Sequence, residues 1–239
     1  MPSATTDTHV PHLARVAELA LANAEDLFRE AAVLFACKAY SRALFLHQIS
    51  MEECGKIEIL GGWASSQLMG HEVNLKKIAS ALASHKAKNF ANAYMLPVTD
   101  GERIARDTAD WTTAMEAFRE QQEEFHKASN DKKNAALYVD FGDSTIHAPR
   151  DRITEDMCHE ITARNAEFLD LVRPKVRMLS RWAENQEEPK ATLIYFQTRL
   201  EELRTEYPSD PQRALDVVMN EMLAKEKDQI KSKQAPPEK

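Results

Sequence analysis

The chain has 239 residues, a formal net charge of −7 at pH 7 and 43% apolar residues. This length allows one large domain or two small ones, with enough apolar side chains for a sizeable core. The negative charge argues against nucleic-acid binding over the whole surface, although it does not exclude a local basic patch. The N-terminal sequence lacks a basic and apolar leader, and no apolar run approaches the roughly 20 residues of a membrane span. We therefore expect a cytoplasmic protein without a membrane partner.

Residues that favour helix dominate the sequence, and apolar residues recur at three- and four-residue steps, which predicts an all-α fold. Two long helices over 10–36 and 40–68, joined by a turn near Lys38, should form an antiparallel hairpin. Further helices are predicted over 73–94, 101–130, 155–184, 190–206 and 211–231. The strand-like alternation after Leu137 predicts an ordered extended loop that crosses the bundle, over about 137–152.

The order of these elements predicts a division of the chain into four parts. We expect a flexible N-terminus over 1–9, a helical domain over 10–185, a C-terminal helical extension over 186–231 and a disordered tail over 232–239. The C-terminal sequence KSKQAPPEK comprises this tail and the residue before it, Lys231. It is too polar and proline-rich to build a core of its own.

The second helix carries a charged insert, Glu52, Glu53 and Lys56, in otherwise apolar surroundings. Charges are costly to bury unless they are paired or used, so the insert indicates a candidate site. Gly55 lies between them and lowers helix propensity by about 1 kcal/mol. A glycine here indicates that another backbone or a ligand passes close by. The alternative is a partly exposed salt bridge at the helix end.

Two further segments carry candidate side chains. His85 and Lys88 share one helix face, where they could bind phosphate or orient a carboxylate. The alternative for this pair is a solvated basic face. Tyr138 and Asp140 point the same way if the backbone is extended. Their alternative is a packed aromatic ring with an aspartate that caps a turn.

The spacings Glu123-x-x-His126 and Asp156-x-x-His159 match the two halves of a di-metal carboxylate bundle. However, the residues around Glu123 are too polar to face a core. We therefore rank a metal-dependent function last and expect neither a metal nor another cofactor.

Arginine–histidine pairs recur along the chain, as Arg42/His47, Arg119/His126 and Arg152/His159. Such a pair could serve metal-independent RNA cleavage, with histidine as acid or base and arginine stabilising the phosphate. Arg42 and His47 lie about 140° apart on a helix, so a shared target would need an unwound start or a second subunit. Arg152 precedes the helix of His159, which is geometrically easier.

Three motifs in chain order, YSRALFLHQISMEECGK, HKAK and KKNAALYVDF, resemble those of the abortive infection protein AbiV family. The corresponding residues here are Glu52 to Lys56, His85 with Lys88, and Lys133 to Asp140. The resemblance covers roughly residues 10 to 185 and implies a HEPN-like helical bundle. It also implies a role in bacterial defence against phage, in which macromolecular synthesis in the infected cell is halted. Many HEPN proteins are dimeric RNases with an Arg-x(4–6)-His pair at the dimer interface, and the motifs shared here lack such a pair.

We therefore predict an anti-phage effector of abortive infection that arrests the infected cell. The first hypothesis is RNA binding or metal-independent RNA cleavage by Glu53, His85 and Lys88, which should form one polar cluster with Lys133. The reserve catalytic candidates are Arg152, His159, Arg42 and His47. The residues expected to bind substrate are Lys56, Lys133, Tyr138 and Asp140, the last two folded over the second and third helices.

The second hypothesis is a non-catalytic effector that binds a phage-encoded or host protein to block translation or growth. The same polar residues would then hold the fold together as a buried network. Under both hypotheses we expect a homodimer, because the apolar hairpin offers more surface than one bundle needs to bury.

Overall fold

The computed structural model describes residues 8–142 and 145–234. Residues 1–7 of the predicted flexible N-terminus and residues 235–239 of the predicted tail lie outside the described residues. The helices are α1 Val10–Ala36, α2 Tyr40–Leu68, α3 Leu75–Ala83, α4 His85–Asn92, α5 Asp100–Asp107, α6 Trp111–Leu137, α7 Pro149–Arg152, α8 Glu155–Glu184, α9 Glu187–Glu206 and α10 Pro211–Gln234. A 3-10 turn, Ala93–Met95, follows α4, and the strands β1 Asp140–Gly142 and β2 Thr145–His147 form a small hairpin. The predicted all-α class is confirmed.

The first two helices form the antiparallel hairpin that the sequence predicts, with the predicted bounds. The turn between them contains Lys38, which has a φ of 58° in the left-handed region. At the far end of the hairpin, the backbone N–H of His9 donates to the Gln67 side chain at 3.0 Å. In the middle, the Ser50 hydroxyl donates to the Ala24 carbonyl at 2.8 Å. The two helices therefore contact each other from the turn to the far end of the hairpin.

Helix α8 packs along both α1 and α2 and completes the main core. The buried face of α1 is made largely of small side chains, Ala14, Ala17, Ala20, Ala24 and Ala31. Alanines let neighbouring helices approach closely, and larger side chains of α8, such as Phe168 and Leu179, fill the space between them. Helices α4 and α6 cover the opposite side of α2. The central helix is therefore enclosed on both sides, which accounts for its apolar residues on nearly every face.

Two predicted helices are each divided in the structure. The range 73–94 breaks at Ser84, whose backbone is extended and whose Oγ accepts the Ala87 N–H at 3.2 Å. The range 101–130 breaks at Ala109, which has a φ of 55°, and α6 then begins after Asp110. The Asp110 carboxylate caps that helix by accepting the Thr113 N–H at 3.1 Å. Both breaks occur where a short polar side chain can satisfy the free N–H groups of a new helix.

The segment after α6 is partly extended as predicted, but the prediction that it crosses the bundle is wrong. The segment after α6 is the β1–β2 hairpin followed by the short α7, and Phe141 pairs with Ile146 across the two strands. Phe141 is 80% exposed and Ile146 is 70% exposed. The hairpin therefore lies on the outside of the bundle, with this apolar cross-strand pair turned to solvent.

Helices α9 and α10 contact each other around a small separate cluster of Leu203, Ala214 and Val218. An ion pair between Arg199 and Glu221 at 3.1 Å links the two helices. Hydrogen bonding to Glu221 raises the pKa of Arg199 above its ordinary value. Among the described residues, no helix has both the length and the hydropathy to cross a membrane.

Candidate functional site

A buried carboxylate, Glu52, lies where α2, α4 and α6 meet. Glu52 is only 4% exposed. Lys88 Nζ lies 2.7 Å from Glu52 Oε2, and Lys133 Nζ lies 3.0 Å from Oε1. His85 Nδ1 lies 2.6 Å from Oε2. These four residues, here called the Glu52 cluster, tie three helices to one carboxylate.

Gly55 allows α4 to come this close to α2. A Cβ atom at this position would lie 2.4 Å from the carbonyl oxygen of Lys88, closer than real Cβ contacts come. One turn further along α4, the Asn92 side chain donates to the Met51 carbonyl at 2.8 Å. The predicted close approach at Gly55 is therefore confirmed, and the approaching group is the α4 backbone.

The Glu52 carboxylate is held in its charged form by its neighbours. Burial alone raises its pKa, but hydrogen bonds from Lys88, His85 and Lys133 outweigh burial, and the pKa is lowered overall. The side chains of Lys88 and Lys133 are themselves only 8% and 11% exposed. Two buried ammonium groups thus share one carboxylate, and the cluster carries a net positive charge.

His85 is the exposed member of the cluster, with 56% of its side chain accessible to solvent. Its Nδ1 is occupied by Glu52, and its Nε2 has no hydrogen-bond partner among the described residues. In the neutral ring, an Nδ1–H that donates to the carboxylate leaves the Nε2 lone pair facing outward. A carboxylate that fixes the tautomer in this way is the arrangement that a general acid–base histidine needs.

Glu53 does not take the place that the sequence analysis assigned to it. It pairs with Lys56 at 2.6 Å on a different face of α2 and does not join His85. Consecutive helical side chains point about 100° apart, so only one of the two glutamates can face α4. Glu52 is that residue, because it precedes Gly55 by three positions and shares its face. The sequence contained this signal, since Gly55 already marked the side of close approach.

Tyr138 and Asp140 lie outside the Glu52 cluster. Tyr138 is 59% exposed, and Asp140 accepts a hydrogen bond from Arg152 Nη1 at 2.9 Å. Both residues belong to the segment at the hairpin, so the prediction that they fold over the second and third helices is wrong. Lys133, in contrast, lies with His85 and Lys88 in the Glu52 cluster, as the predicted polar cluster has it.

The reserve arginine–histidine pairs are not brought onto common targets. Arg42 is exposed and donates to the Leu137 carbonyl at 3.4 Å, whereas His47 is completely buried. Arg152 is bonded to Asp140, and the ring of His159 packs against Phe35 with centroids 4.6 Å apart.

His47 belongs to a second buried polar network that the sequence analysis missed. Its Nδ1 lies 3.0 Å from the Asn165 amide and its Nε2 lies 2.9 Å from the Thr162 hydroxyl. Asn165 also lies 3.2 Å from the Ser50 hydroxyl, which binds α1 as described above. Burial lowers the pKa of His47 to about 4, so the ring is neutral at pH 7. This arrangement joins α1, α2 and α8 and offers no solvent-facing group for chemistry.

Glu123 and His126, which the spacing suggested for a di-metal site, have other partners. Glu123 is paired with Lys86 at 2.8 Å, and His126 Nδ1 lies 3.2 Å from the Asn89 amide. Within the described ranges, histidine, cysteine, aspartate and glutamate form no group of three or more that could hold a metal ion.

The fold and the site together define an all-α helical bundle with a half-exposed histidine on a buried carboxylate. The family model described as AbiV, of the HEPN type, matches residues 12–170. The chain therefore belongs to the AbiV family of HEPN proteins, as the motifs of its sequence predict.

The chain also resembles a bacterial protein of Sinorhizobium fredii (strain NBRC 101917 / NGR234) that is named "Uncharacterized protein y4gJ". The two are 42% identical over 111 residues, which cover 46% of this chain and 58% of that protein. The chain thus spans little more than half the length of this relative. No solved structure matches the chain.

Proposed function

We propose that the protein is an abortive-infection effector that arrests the infected cell by cleaving RNA, with His85 as the general acid–base group. The observation that carries the proposal is the hydrogen bond of 2.6 Å between His85 Nδ1 and the buried Glu52 carboxylate. It presents Nε2 to solvent on a side chain that is 56% exposed. Glu52 is a positioning residue in this scheme, because it acts through His85.

The cleavage requires no metal ion. His85 Nε2 takes the proton of a ribose 2′-hydroxyl, and the resulting oxygen attacks the adjacent phosphorus. The bond from phosphorus to the 5′ oxygen of the next nucleotide breaks, and this oxygen takes the proton back from the imidazolium. The products are a 2′,3′-cyclic phosphate and a 5′-hydroxyl end. Glu52 stabilises the transient imidazolium, and the net positive charge of the Glu52 cluster favours the charged phosphate.

The test is sequencing of RNA 5′ ends from phage-infected cells that carry wild type or His85→Ala at equal soluble levels. A general acid–base group contributes about 10²- to 10⁴-fold, so the variant should lose the new RNA ends almost completely. His159→Ala is the matched control, because its side chain is also exposed, at 63%, but only approaches a carboxylate at 4.0 Å. It should cleave like wild type.

The melting temperature separates chemistry from folding. Lys88 and Lys133 still neutralise Glu52 in His85→Ala, so this variant should melt close to wild type. A parallel loss of melting temperature and protection would instead assign His85 a structural role. Intact RNA in wild-type cells that still resist phage would refute the nuclease.

A second function is favoured by the outward apolar face of the hairpin. Val139, Phe141 and Ile146 are 67%, 80% and 70% exposed, and they follow the 59% exposed Tyr138. Lys88 and Lys133, which could bind the phosphate in RNA cleavage, are buried and paired with Glu52. These observations support a non-catalytic effector whose hairpin docks on a phage-encoded or host protein.

Phe141→Asp tests this alternative, since the exposed side chain contributes little to the fold. Loss of protection with RNA unaffected in both wild-type and variant cells would support the protein-binding effector. Light scattering on the same variant tests the proposed homodimer. A wild-type dimer that becomes a monomer on this substitution would assign the hairpin to a second copy of the chain.

A further inference from the structure

The proposed cleavage calls for a side chain that touches the phosphate. Negative charge develops on the non-bridging oxygens as the 2′ oxygen attacks phosphorus, and a hydrogen-bond donor aimed at those oxygens stabilises it. Lys88 and Lys133 are buried and both paired with Glu52, so they act on the phosphate only through their charge. The donor must therefore come from the surface next to His85.

His126 of α6 lies about one helical turn from His85. His85 meets α6 near Lys133, because both side chains bind Glu52. Asn89, which follows His85 by four residues on the same face of α4, meets His126, so the two helices run antiparallel. Four residues correspond to about 6 Å along a helix. Two hydrogen bonds of about 3 Å, made to two oxygens of one RNA linkage, span such a separation.

The Asn89 amide fixes the position of the proton on the His126 ring. Nδ2 of Asn89 lies 3.2 Å from Nδ1 of His126, and an amide nitrogen can only donate. Nδ1 therefore accepts, and the neutral ring carries its proton on Nε2. Asn89 is only 2% exposed, so its buried position holds this arrangement. The two rings are consequently complementary, since His85 presents an Nε2 lone pair and His126 presents an Nε2–H.

The Nε2 atom of His126 is available to a ligand. It has no hydrogen-bond partner among the described residues. In the described ranges, the unpartnered side-chain nitrogen and oxygen atoms that are shut off from solvent belong to Asn92, Glu102 and Trp111. Nε2 of His126 is not one of these atoms, and it therefore reaches solvent. Glu123, one turn earlier on α6, is paired with Lys86 at 2.8 Å.

We infer that His126 binds the scissile phosphate of RNA by donating its Nε2–H to a non-bridging oxygen. This inference rests on the proposed function, because it assigns a second residue to the same site. His85 moves the proton, and His126 stabilises the charge that develops on the phosphate. The same hydrogen bond forms when the RNA binds, so its contribution is measurable without cleavage.

Fluorescence anisotropy of the full chain with a labelled single-stranded RNA tests the binding. All the 2′-hydroxyls of this RNA are methylated, so it cannot be cleaved by the proposed reaction. His126→Leu should bind about tenfold more weakly than wild type at the same salt concentration, because a hydrogen bond to a charged group is lost. Gln122→Leu is the matched control, since Gln122 lies one turn away on α6 and donates to the Phe90 carbonyl of α4 at 3.1 Å. It should bind RNA like wild type.

A second RNA tests the contact with the phosphate directly. It has one free 2′-hydroxyl, and sulfur replaces one non-bridging oxygen of the phosphate that follows. Sulfur is a poorer acceptor, so wild type should cleave one diastereomer about tenfold more slowly than the other, and His126→Leu should cleave both equally.

The two RNAs separate failure of the inference from failure of the nuclease. Methylated RNA that binds tightly, with no cleavage of the second RNA, would refute the nuclease, and the anisotropy alone would then decide the role of His126. Equal binding by wild type and His126→Leu would overturn the inference. So would equal weakening by Gln122→Leu, or a difference between diastereomers that persists in His126→Leu. Absence of RNA binding by wild type would overturn both proposals.

Discussion

Replacement of Glu52 by glutamine tests the central interaction of the candidate site. The change keeps the shape of the side chain but removes the one negative charge between Lys88 and Lys133. Removing one partner of a buried ion pair costs about 3–5 kcal/mol, because the other charge is left unpaired.

We therefore expect Glu52→Gln to lower the free energy of unfolding by about 3–5 kcal/mol at pH 7. For a chain of this size, that loss corresponds to a melting temperature lower by roughly 6–20 °C. Urea titration followed by circular dichroism measures the first quantity, and a thermal scan measures the second.

Glu53→Gln is the control at the neighbouring position. Glu53 is 8% exposed against 4% for Glu52, but it has one partner, Lys56, whose side chain is 25% exposed. Its loss should remove no more than about 1 kcal/mol. Equal losses for the two variants would refute the view that Glu52 is the shared carboxylate.

The pH dependence of the Glu52 effect has a definite sign. The folded-state pKa of Glu52 is lowered, so its stabilisation is present above its ordinary value of 4.5 and is lost as pH falls through the lowered value. Wild type and Glu52→Gln should therefore converge in stability in strong acid. A difference that persists unchanged there would contradict an ionic role.

Two further predictions concern helix contacts and titration. Gly55→Ala should destabilise by about 1–3 kcal/mol, because its Cβ would meet the Lys88 carbonyl. Gly61→Ala, with nothing within 4 Å of its Cβ, should stabilise by up to about 1 kcal/mol in the same urea titration. His47 has a pKa lowered by burial from 6.5 to about 4, so the unfolded chain binds the extra proton between these values. The free energy of unfolding should therefore fall by up to about 3 kcal/mol from pH 6.5 to pH 4. His47→Gln should remove this fall while the exposed control His159→Gln keeps it, and an unchanged slope in His47→Gln would contradict the assignment.

The local elements of the fold could be read from the sequence because they depend on neighbours along the chain. The three- and four-residue apolar spacing and the turn at Lys38 are local signals, and they predicted the bounds of α1 and α2 correctly. The breaks at Ser84 and Asp110 are also local, since each residue caps the helix that follows it. They were missed because the apolar spacing continues across both of them.

The segment after Leu137 was predicted correctly to be strand-like, but its position in the fold was predicted wrongly. The same pattern of apolar residues suits a strand that crosses a core and a hairpin with its apolar face outward. Which of the two forms depends on the surface available to cover Phe141 and Ile146. In the described bundle, α1, α8, α4 and α6 pack around α2, and the hairpin lies outside them with Phe141 and Ile146 exposed.

The sequence by itself determined the helical class, the central hairpin and the family. It also determined that α2 carries charges that must be paired. Only the tertiary structure decided that His85, Lys88 and Lys133, from two other helices, meet on one carboxylate of α2. It also decided that His47 is enclosed with Asn165, which lies 118 positions away. The physical reason is that a helix sets the angle between its own side chains, whereas the partner of a buried charge depends on which distant helix comes to rest against that face.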